Sequence, residues 1–203
     1  MDSLLLRRRL MVGGDTYLDA SYITFTGEQY IDLGIYGNSD TQYIIDFDIA
    51  VLIQGQSRSF FGYYDANNPT TKSLNLYLGY GKANTRYGNA AGNLDWRSGH
   101  RYTAVLSPSG MYVERDGSLY YNKAWSPSPF TTNGTLKVGY TGTGLWFIGN
   151  VNSIEVHNTI HGTAMILSPV YSVRLKQYGL LERQTRSFYY SVTGVPLGGN
   201  LLQ

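Results

Sequence analysis

The stretch that decides the fold is Thr41-Gln-Tyr-Ile-Ile-Asp-Phe-Asp-Ile-Ala-Val-Leu-Ile53. Alternate residues fall on two faces. One face carries Tyr43, Ile45, Phe47, Ile49 and Val51, and the other carries Gln42, Ile44, Asp46, Asp48 and Ala50. A period of two belongs to a β-strand, because successive side chains of a strand point to opposite faces. The segment therefore predicts one long strand, Thr41 to Ile53, with its first face in a hydrophobic core.

Similar strand signals recur on both sides of this segment, separated by Gly, Asn, Asp and Pro. The predicted strands are Ser21–Thr26, Gln29–Leu33, Arg58–Tyr64, Ser73–Tyr80, Thr85–Gly88, His100–Leu106, Gly110–Arg115, Ser118–Asn122, Thr135–Tyr140, Leu145–Ile148, Val151–Asn158, Gly162–Leu167 and Val170–Lys176. Many short strands at close spacing, in a chain with 24 Gly and 19 Tyr, indicate an all-β sandwich or jelly roll. Asp116-Gly117 predicts a type I′ hairpin turn, since both residues tolerate positive φ.

One segment predicts a short C-terminal helix, Leu180 to Tyr190. Leu180, Leu181, Gln184 and Phe188 fall near one stripe at helical spacing. We expect this helix to pack against the sandwich.

Composition limits the classes of partner. The 203-residue chain is expected to form one domain, and its net charge of +2 is too small to indicate electrostatic binding of nucleic acid. The absence of cysteine excludes disulfides and thiolate metal sites.

No apolar run approaches the ~18 residues of a membrane span. Leu4–Leu6 precede Arg7–Arg9, the reverse of a secretory signal, so we expect neither a membrane span nor a signal peptide.

The N-terminal segment predicts a docking leader. We divide the chain into a Leu/Arg-rich leader at 1–18, a jelly-roll domain at 19–191 and a C-terminal tail at 192–203. The leader residues expected to dock on a partner are Leu4, Leu5, Leu6, Arg7, Arg8, Arg9 and Leu10. A frayed terminus is the alternative. Contact of the arginines with packaged nucleic acid is less favoured, because three arginines form a small charged patch.

The order of segments between about Tyr22 and Tyr190 resembles the laminin-G-like branch of the concanavalin-A-like jelly-roll fold. The resemblance rests on Tyr22–Leu33, Trp96–Val105, Met111–Tyr120, Leu136–Gly139, Phe147–Val156 and Tyr171–Glu182. It implies an antiparallel β-sandwich jelly roll that ends in a helical turn.

A short Leu/Arg-rich leader joined to such a module also resembles virion proteins of tailed phages that infect gut bacteria, including crAss-like phages. That resemblance implies a non-enzymatic head fibre, capsid decoration or tail component. We would then expect it in the virion, as a homo-oligomer bound to other virion proteins and able to bind host glycans. A lectin-like module of a bacterial surface assembly is the alternative.

A glycoside hydrolase is a third hypothesis, because hydrolases share this fold and use two carboxylates about 5–10 Å apart. Asp46 and Asp48 share a strand face. The fold's hydrolases place a third acid on that strand and use glutamates, whereas Ala50 and Leu52 follow here and the chain has four glutamates, Glu28, Glu114, Glu155 and Glu182. We therefore predict no catalysis.

Metal binding has weak signals. His157 and His161 are four residues apart, the zinc-binding spacing of a helix, but their segment predicts a strand and loop. Asp40, Asp65 and Asp95 are loop acids that could hold calcium in a laminin-G-like module, although Asp in loops more often forms turns. We predict no metal site and no cofactor, with calcium left as an alternative.

Aromatic side chains near loops are the candidates for stacking on a sugar. The predicted glycan contacts are Tyr64, Asp65, Asn67 and Trp96. Tyr64 is the stronger one because it adjoins the polar loop Asp65-Ala-Asn-Asn-Pro69. Trp96 borders a predicted strand, so burial in the core is its alternative role.

Overall fold

The chain folds as a sandwich of two β-sheets. A computed structural model describes residues 9–12, 14–80, 83–142, 144–158 and 164–202, with the backbone alone at 9–12 and 83. Over this range one sheet has eleven strands and the other has seven. Strand pairing is antiparallel throughout the described part, apart from a short parallel pairing of Leu145–Trp146 with Arg58–Ser59. The prediction of an all-β sandwich of antiparallel sheets is confirmed.

The strands, in chain order, are β1 (Arg9–Val12), β2 (Asp15–Thr26), β3 (Ile31–Asn38), β4 (Thr41–Ile49), β5 (Ser57–Tyr63), β6 (Leu74–Gly79), β7 (Ala83–Tyr87), β8 (Ala90–Leu94), β9 (His100–Ser107), β10 (Gly110–Arg115), β11 (Ser118–Ala124), β12 (Thr131–Val138), β13 (Leu145–Trp146), β14 (Ile148–Asn158), β15 (Ala164–Ser172), β16 (Gln177–Glu182), β17 (Ser187–Tyr189) and β18 (Gly198–Leu201). The larger sheet runs β11-β10-β9-β4-β14-β2-β15-β16-β17, with β1 and β18 also on β2. The smaller sheet runs β3-β12-β5-β6-β7-β8, with β13 on β5.

Strand β4 lies between β9 and β14, near the centre of the larger sheet. Tyr43, Ile45, Phe47 and Ile49 are buried between the sheets, as their period-two spacing predicts. The strand ends at Ile49, before the predicted end at Ile53, and Val51 is 38% exposed. The core face of the decisive segment is thus confirmed over the length of β4.

Consecutive phenylalanines on β5 both enter the core. Phe60 and Phe61 are fully buried, because a bulge between Ser59 and Phe61 interrupts the alternation. Phe60 lies 4.5 Å from Phe47 and 4.2 Å from Phe147, measured between ring centroids. Gly62 follows at φ 116°, where a Cβ would lie 1.9 Å from the carbonyl oxygen of Leu74. Only glycine fits this position without moving β6.

Two predictions about the β10–β11 turn and the C-terminal segment have opposite outcomes. Asp116 and Gly117 have φ of 51° and 76°, so the predicted hairpin turn is confirmed. The predicted helix at Leu180–Tyr190 is wrong, because the segment forms β16, a turn and β17.

The helix prediction failed because sheet pairing outweighs helix propensity in this segment. Leu180 pairs with Pro169 on one side and Tyr189 on the other. The buried carboxylate of Glu182 accepts hydrogen bonds from the backbone N–H groups of Gln184 and Thr185, and Arg186 adopts φ 60°. These features close a hairpin where a helix would have continued.

Both ends of the described chain pair with β2. Arg9 pairs with Leu18 through β1, and Leu201 pairs with Ala20 through β18. Most of the predicted docking residues, Leu4, Leu5, Leu6, Arg7 and Arg8, lie outside the described residues. For Arg9 and Leu10 the backbone alone is described. Across the described part, no helix is long and apolar enough to cross a membrane.

Candidate functional site: a polar cleft on the seven-stranded sheet

The outer face of the seven-stranded sheet carries polar side chains at its β6–β7 end. On β6, Leu74, Leu76 and Leu78 are fully buried beneath the sheet, so the alternate residues Asn75 and Tyr77 face outward. On β7, Thr85 and Tyr87 are buried, so Asn84 and Arg86 face outward. Asn75 lies directly opposite Arg86 in the strand register. The alternation of two strands thus brings four polar side chains together.

These side chains line a cleft with Tyr64. Its volume is about 220 Å³, and its lining residues are Tyr64, Asn75, Tyr77, Asn84 and Arg86. Drug-sized ligands occupy about 300–1,000 Å³. The cleft is therefore suited to one small group, such as a single sugar ring of a longer chain.

The Oδ1 atom of Asn75 is a buried acceptor without a donor. Asn75 is 2% exposed, and its Oδ1 accepts no hydrogen bond from any described atom. An unsatisfied buried polar group of this kind costs about 1–3 kcal/mol. A ligand that donates an O–H or N–H group into the cleft would remove that cost.

Arg86 supplies the one charge among the cleft-lining residues. Its guanidinium makes no ion pair with any described carboxylate, and the lining contains no Asp or Glu. Arg86 is half-buried, so part of its hydration is lost. Its planar fork of N–H donors is therefore available to an acceptor that enters the cleft.

Tyr77 forms a wall of the cleft and is held by the loop that follows β12. Gly144 in this loop has φ 75°, and a Cβ there would lie 2.1 Å from the hydroxyl oxygen of Tyr77. Glycine is required for the loop to approach this closely. Tyr64 is joined to the same loop, since its N–H donates to the carbonyl oxygen of Thr141 at 3.1 Å.

Asp65 belongs to the turn that follows Tyr64. Its Oδ1 accepts the backbone N–H groups of Asn67 and Asn68 at 2.9 and 3.0 Å, and its Oδ2 accepts Nδ2 of Asn133 at 2.6 Å. Desolvation by burial raises the pKa of Asp65, but these N–H donors lower it more, so the net pKa lies below its ordinary value. The carboxylate thus fixes the turn and is not directed at a ligand. Asn67 is exposed on the same turn.

Trp96 lies in the core. It is 0% exposed, and its ring lies 5.0 Å from that of Tyr102 and 5.8 Å from that of Phe47. Burial removes Trp96 from the predicted glycan contacts, because a stacking ring must present a face to solvent. Of those predicted residues, Tyr64 alone lines the cleft.

The two acids weighed for hydrolysis lie on the outer face of the other sheet. Asp46 accepts two hydrogen bonds from Arg101, at 2.9 Å from Nε and 2.5 Å from Nη2. The Nδ2 of Asn152 bridges Asp46 at 3.2 Å and Asp48 at 3.3 Å. This is a closed network of charge-assisted hydrogen bonds.

The metal candidates are dispersed. His157 contacts Glu155 at 2.8 Å between Nε2 and Oε2, and His161 lies outside the described residues. Asp95 pairs with Arg97, and Asp40 occupies the turn between β3 and β4. Within the described ranges no three His, Cys, Asp or Glu residues are close enough together to hold a metal ion.

A scan against protein-family models finds no match for the chain. A search of curated proteins likewise finds none.

Sequence reasoning missed most of the cleft. The alternation Leu74-Asn-Leu-Tyr-Leu78 contains the signal that Asn75 and Tyr77 face outward. The opposition of Asn75 and Arg86 depends on strand register, which the sequence of β7 does not reveal.

Proposed function

We propose that the chain is a non-enzymatic virion structural protein of a tailed phage, which displays a laminin-G-like jelly roll and binds a glycan. The glycan site is the cleft lined by Tyr64, Asn75, Tyr77, Asn84 and Arg86. The observation that carries the glycan part is the unsatisfied Oδ1 of Asn75, a residue that lines the cleft together with Tyr64 and Tyr77. Sugars combine hydroxyl donors with apolar ring faces, the two features that such a cleft accepts.

The setting in a virion rests on the resemblance of the leader and module to phage head fibres, capsid decorations and tail proteins. The two-sheet sandwich is compatible with that module. The network around Asp46 supports a non-enzymatic role, because Asp46 and Asp48 already accept hydrogen bonds from the neighbouring Arg101 and Asn152 side chains.

A glycan array probed with the full chain tests the glycan site. We expect binding that weakens about 10-fold or more in Tyr64→Ala, because stacking of an aromatic ring is lost. Tyr36→Ala is the matched control, since Tyr36 is 56% exposed on the same sheet outside the cleft. A folded protein that binds no glycan would overturn this part of the proposal.

Mass spectrometry of purified phage particles tests the setting. We expect the chain in stoichiometric amount, and we expect deletion of residues 1–8 to abolish its incorporation while leaving glycan binding unchanged. The deletion keeps the β1 pairing with β2 intact. Glycan binding by a chain that is absent from particles would instead favour a lectin-like module of a bacterial surface assembly.

A further inference from the structure

The chemistry of the cleft also restricts the class of sugar, an inference that rests on the proposed glycan binding. Within the described part of the protein, Oδ1 of Asn75 has no donor and the guanidinium of Arg86 has no carboxylate partner. A neutral sugar would supply a hydroxyl donor for Asn75. It would leave the guanidinium without a counter-charge.

The charged side chains around the cleft leave Arg86 as its own cation. Lys123 reaches across from β11, and its Nζ donates to the carbonyl oxygen of Ala91 at 2.7 Å. Ala91 lies opposite Arg86 in the β7–β8 register. The acid next to Tyr64, Asp65, is engaged by three N–H donors of its own turn and of Asn133. Arg86 is therefore the cation that an anion entering the cleft would meet.

We propose that the ligand is an acidic saccharide whose carboxylate pairs with Arg86 while a hydroxyl of the same sugar donates to Oδ1 of Asn75. Residues directly opposite each other in an antiparallel pair have Cβ atoms about 4.5–5.5 Å apart. Asn75 and Arg86 are such a pair. Their side chains therefore start from neighbouring positions on one face and both line the cleft, so one sugar can contact both residues.

Arg86 and Asn75 each match the sugar group that they would contact. The guanidinium presents parallel N–H donors that match a carboxylate in a bidentate contact. The amide oxygen of Asn75 can only accept, so it requires a hydroxyl or amide donor and repels a second carboxylate. Tyr64 and Tyr77 would contact the apolar face of the ring.

Matched probes measured by calorimetry with the full chain test the inference. The pairs are 3′-sialyllactose with lactose, and methyl glucuronide with methyl glucoside, which distinguish a sialic acid from a uronic acid as the source of the carboxylate. We expect at least one acidic probe to bind about 10-fold or more tightly than its neutral partner, because a charge-assisted contact is about twice as strong as a neutral one.

Variants assign the preference to the cleft. Arg86→Gln is expected to remove the preference, so that the acidic probe binds no more tightly than its neutral partner, and Arg86→Lys to preserve part of it. Lys137→Gln is the matched control. It removes one positive charge from the same outer face, on β12, outside the cleft, and is expected to leave the preference unchanged. Circular dichroism verifies that each variant is folded.

The outcomes separate this inference from the proposed function. Equal binding of acidic and neutral probes, lost in Tyr64→Ala, would overturn the acidic ligand and leave glycan binding standing. An acidic preference that survives in Arg86→Gln would also overturn the inference. A folded protein that binds none of the probes or arrayed glycans would overturn both.

Discussion

The Asp46 network on one sheet and the cleft on the other differ in how their polar groups are paired. On the eleven-stranded sheet, Asp46, Asp48, Arg101 and Asn152 satisfy one another through hydrogen bonds of 2.5–3.3 Å. In the cleft on the seven-stranded sheet, the amide oxygen of Asn75 has no donor and the guanidinium of Arg86 has no carboxylate partner among the described residues. Both faces are polar and both belong to the same sandwich. They differ in whether the polar groups are already paired.

The difference indicates where a ligand would gain most. A ligand at the Asp46 network must first break hydrogen bonds that the protein already makes. A ligand at the cleft pairs groups that are already partly stripped of water, so its contacts replace no internal bond. A carboxylate-rich face is thus not the better site merely because it holds more charge.

The largest loss of stability is expected from a substitution in the hydrophobic core between the two sheets. Trp96→Ala should lower the free energy of unfolding by about 3–5 kcal/mol, because it leaves a large cavity beside Phe47. Trp96→Phe should cost less, since the indole Nε1 has no hydrogen-bond partner to lose. Urea denaturation measures both changes. Glycan binding that is weakened in a fully folded Trp96→Phe protein would contradict the assignment of Trp96 to the core.

The next largest loss of stability is expected at Asp15, a buried acid whose carboxylate, like that of Asp46, already accepts several hydrogen bonds. Asp15 accepts hydrogen bonds from Ser172 and from the backbone N–H groups of Thr16 and Arg174. Burial raises its pKa, but these bonds lower it more, so the folded-state pKa lies below the ordinary 3.8.

Because the unfolded chain takes up the proton at higher pH, the stabilising effect of Asp15 is present above pH 3.8 and is lost as the pH falls through the folded-state value. Asp15→Asn should lower stability at pH 7 by about 1–3 kcal/mol and flatten the acid limb of the stability profile. Urea midpoints measured from pH 7 to pH 2 test this. An unchanged acid limb would contradict the role of Asp15.

A smaller loss of stability is expected from a substitution in the Asp46 network on the eleven-stranded sheet. Asp46→Ala should cost about 1 kcal/mol or less, since the Arg101 side chain is 59% exposed and the pair is screened by solvent. Glycan affinity should not change. A loss of glycan binding in this variant would place the ligand on the eleven-stranded sheet and reverse the comparison.

The smallest change in stability is expected from Asn75→Leu in the cleft. Replacing a buried acceptor that lacks a donor should leave the free energy of unfolding unchanged or raise it by up to about 1 kcal/mol. Glycan binding should fall about 10-fold or more, because the ligand's hydroxyl loses its acceptor. Thermal melting together with the array measures both. Destabilisation with intact binding would show that Asn75 serves the fold.

The fold was largely predictable because its main signal is local. The period of two in β4 identified the core face, and Asp116-Gly117 identified a hairpin. The helix prediction at Leu180–Tyr190 failed because these residues favour a helix in isolation. Pairing of β16 with β15 and β17 decides the structure instead.

The site was less predictable because it depends on distant contacts. Tyr64 could be chosen from its neighbouring loop. Asn75 and Arg86 meet only through the β6–β7 register, and the burial of Trp96 depends on the packing of the two sheets. Sequence spacing carries neither kind of information.

The shared pairing of β1 and β18 with β2 also makes the sandwich a natural insert. Strand β1 begins at Arg9 opposite Leu18 and β18 ends at Leu201 opposite Ala20, so these two strand ends lie about two residues apart along β2. A domain with adjoining stems can be grafted into a surface loop of a host protein, or circularly permuted with a short linker, without stretching either sheet. The attachment point would lie on the eleven-stranded sheet and the cleft on the seven-stranded sheet. The cleft would therefore stay accessible if the host protein does not cover the seven-stranded sheet.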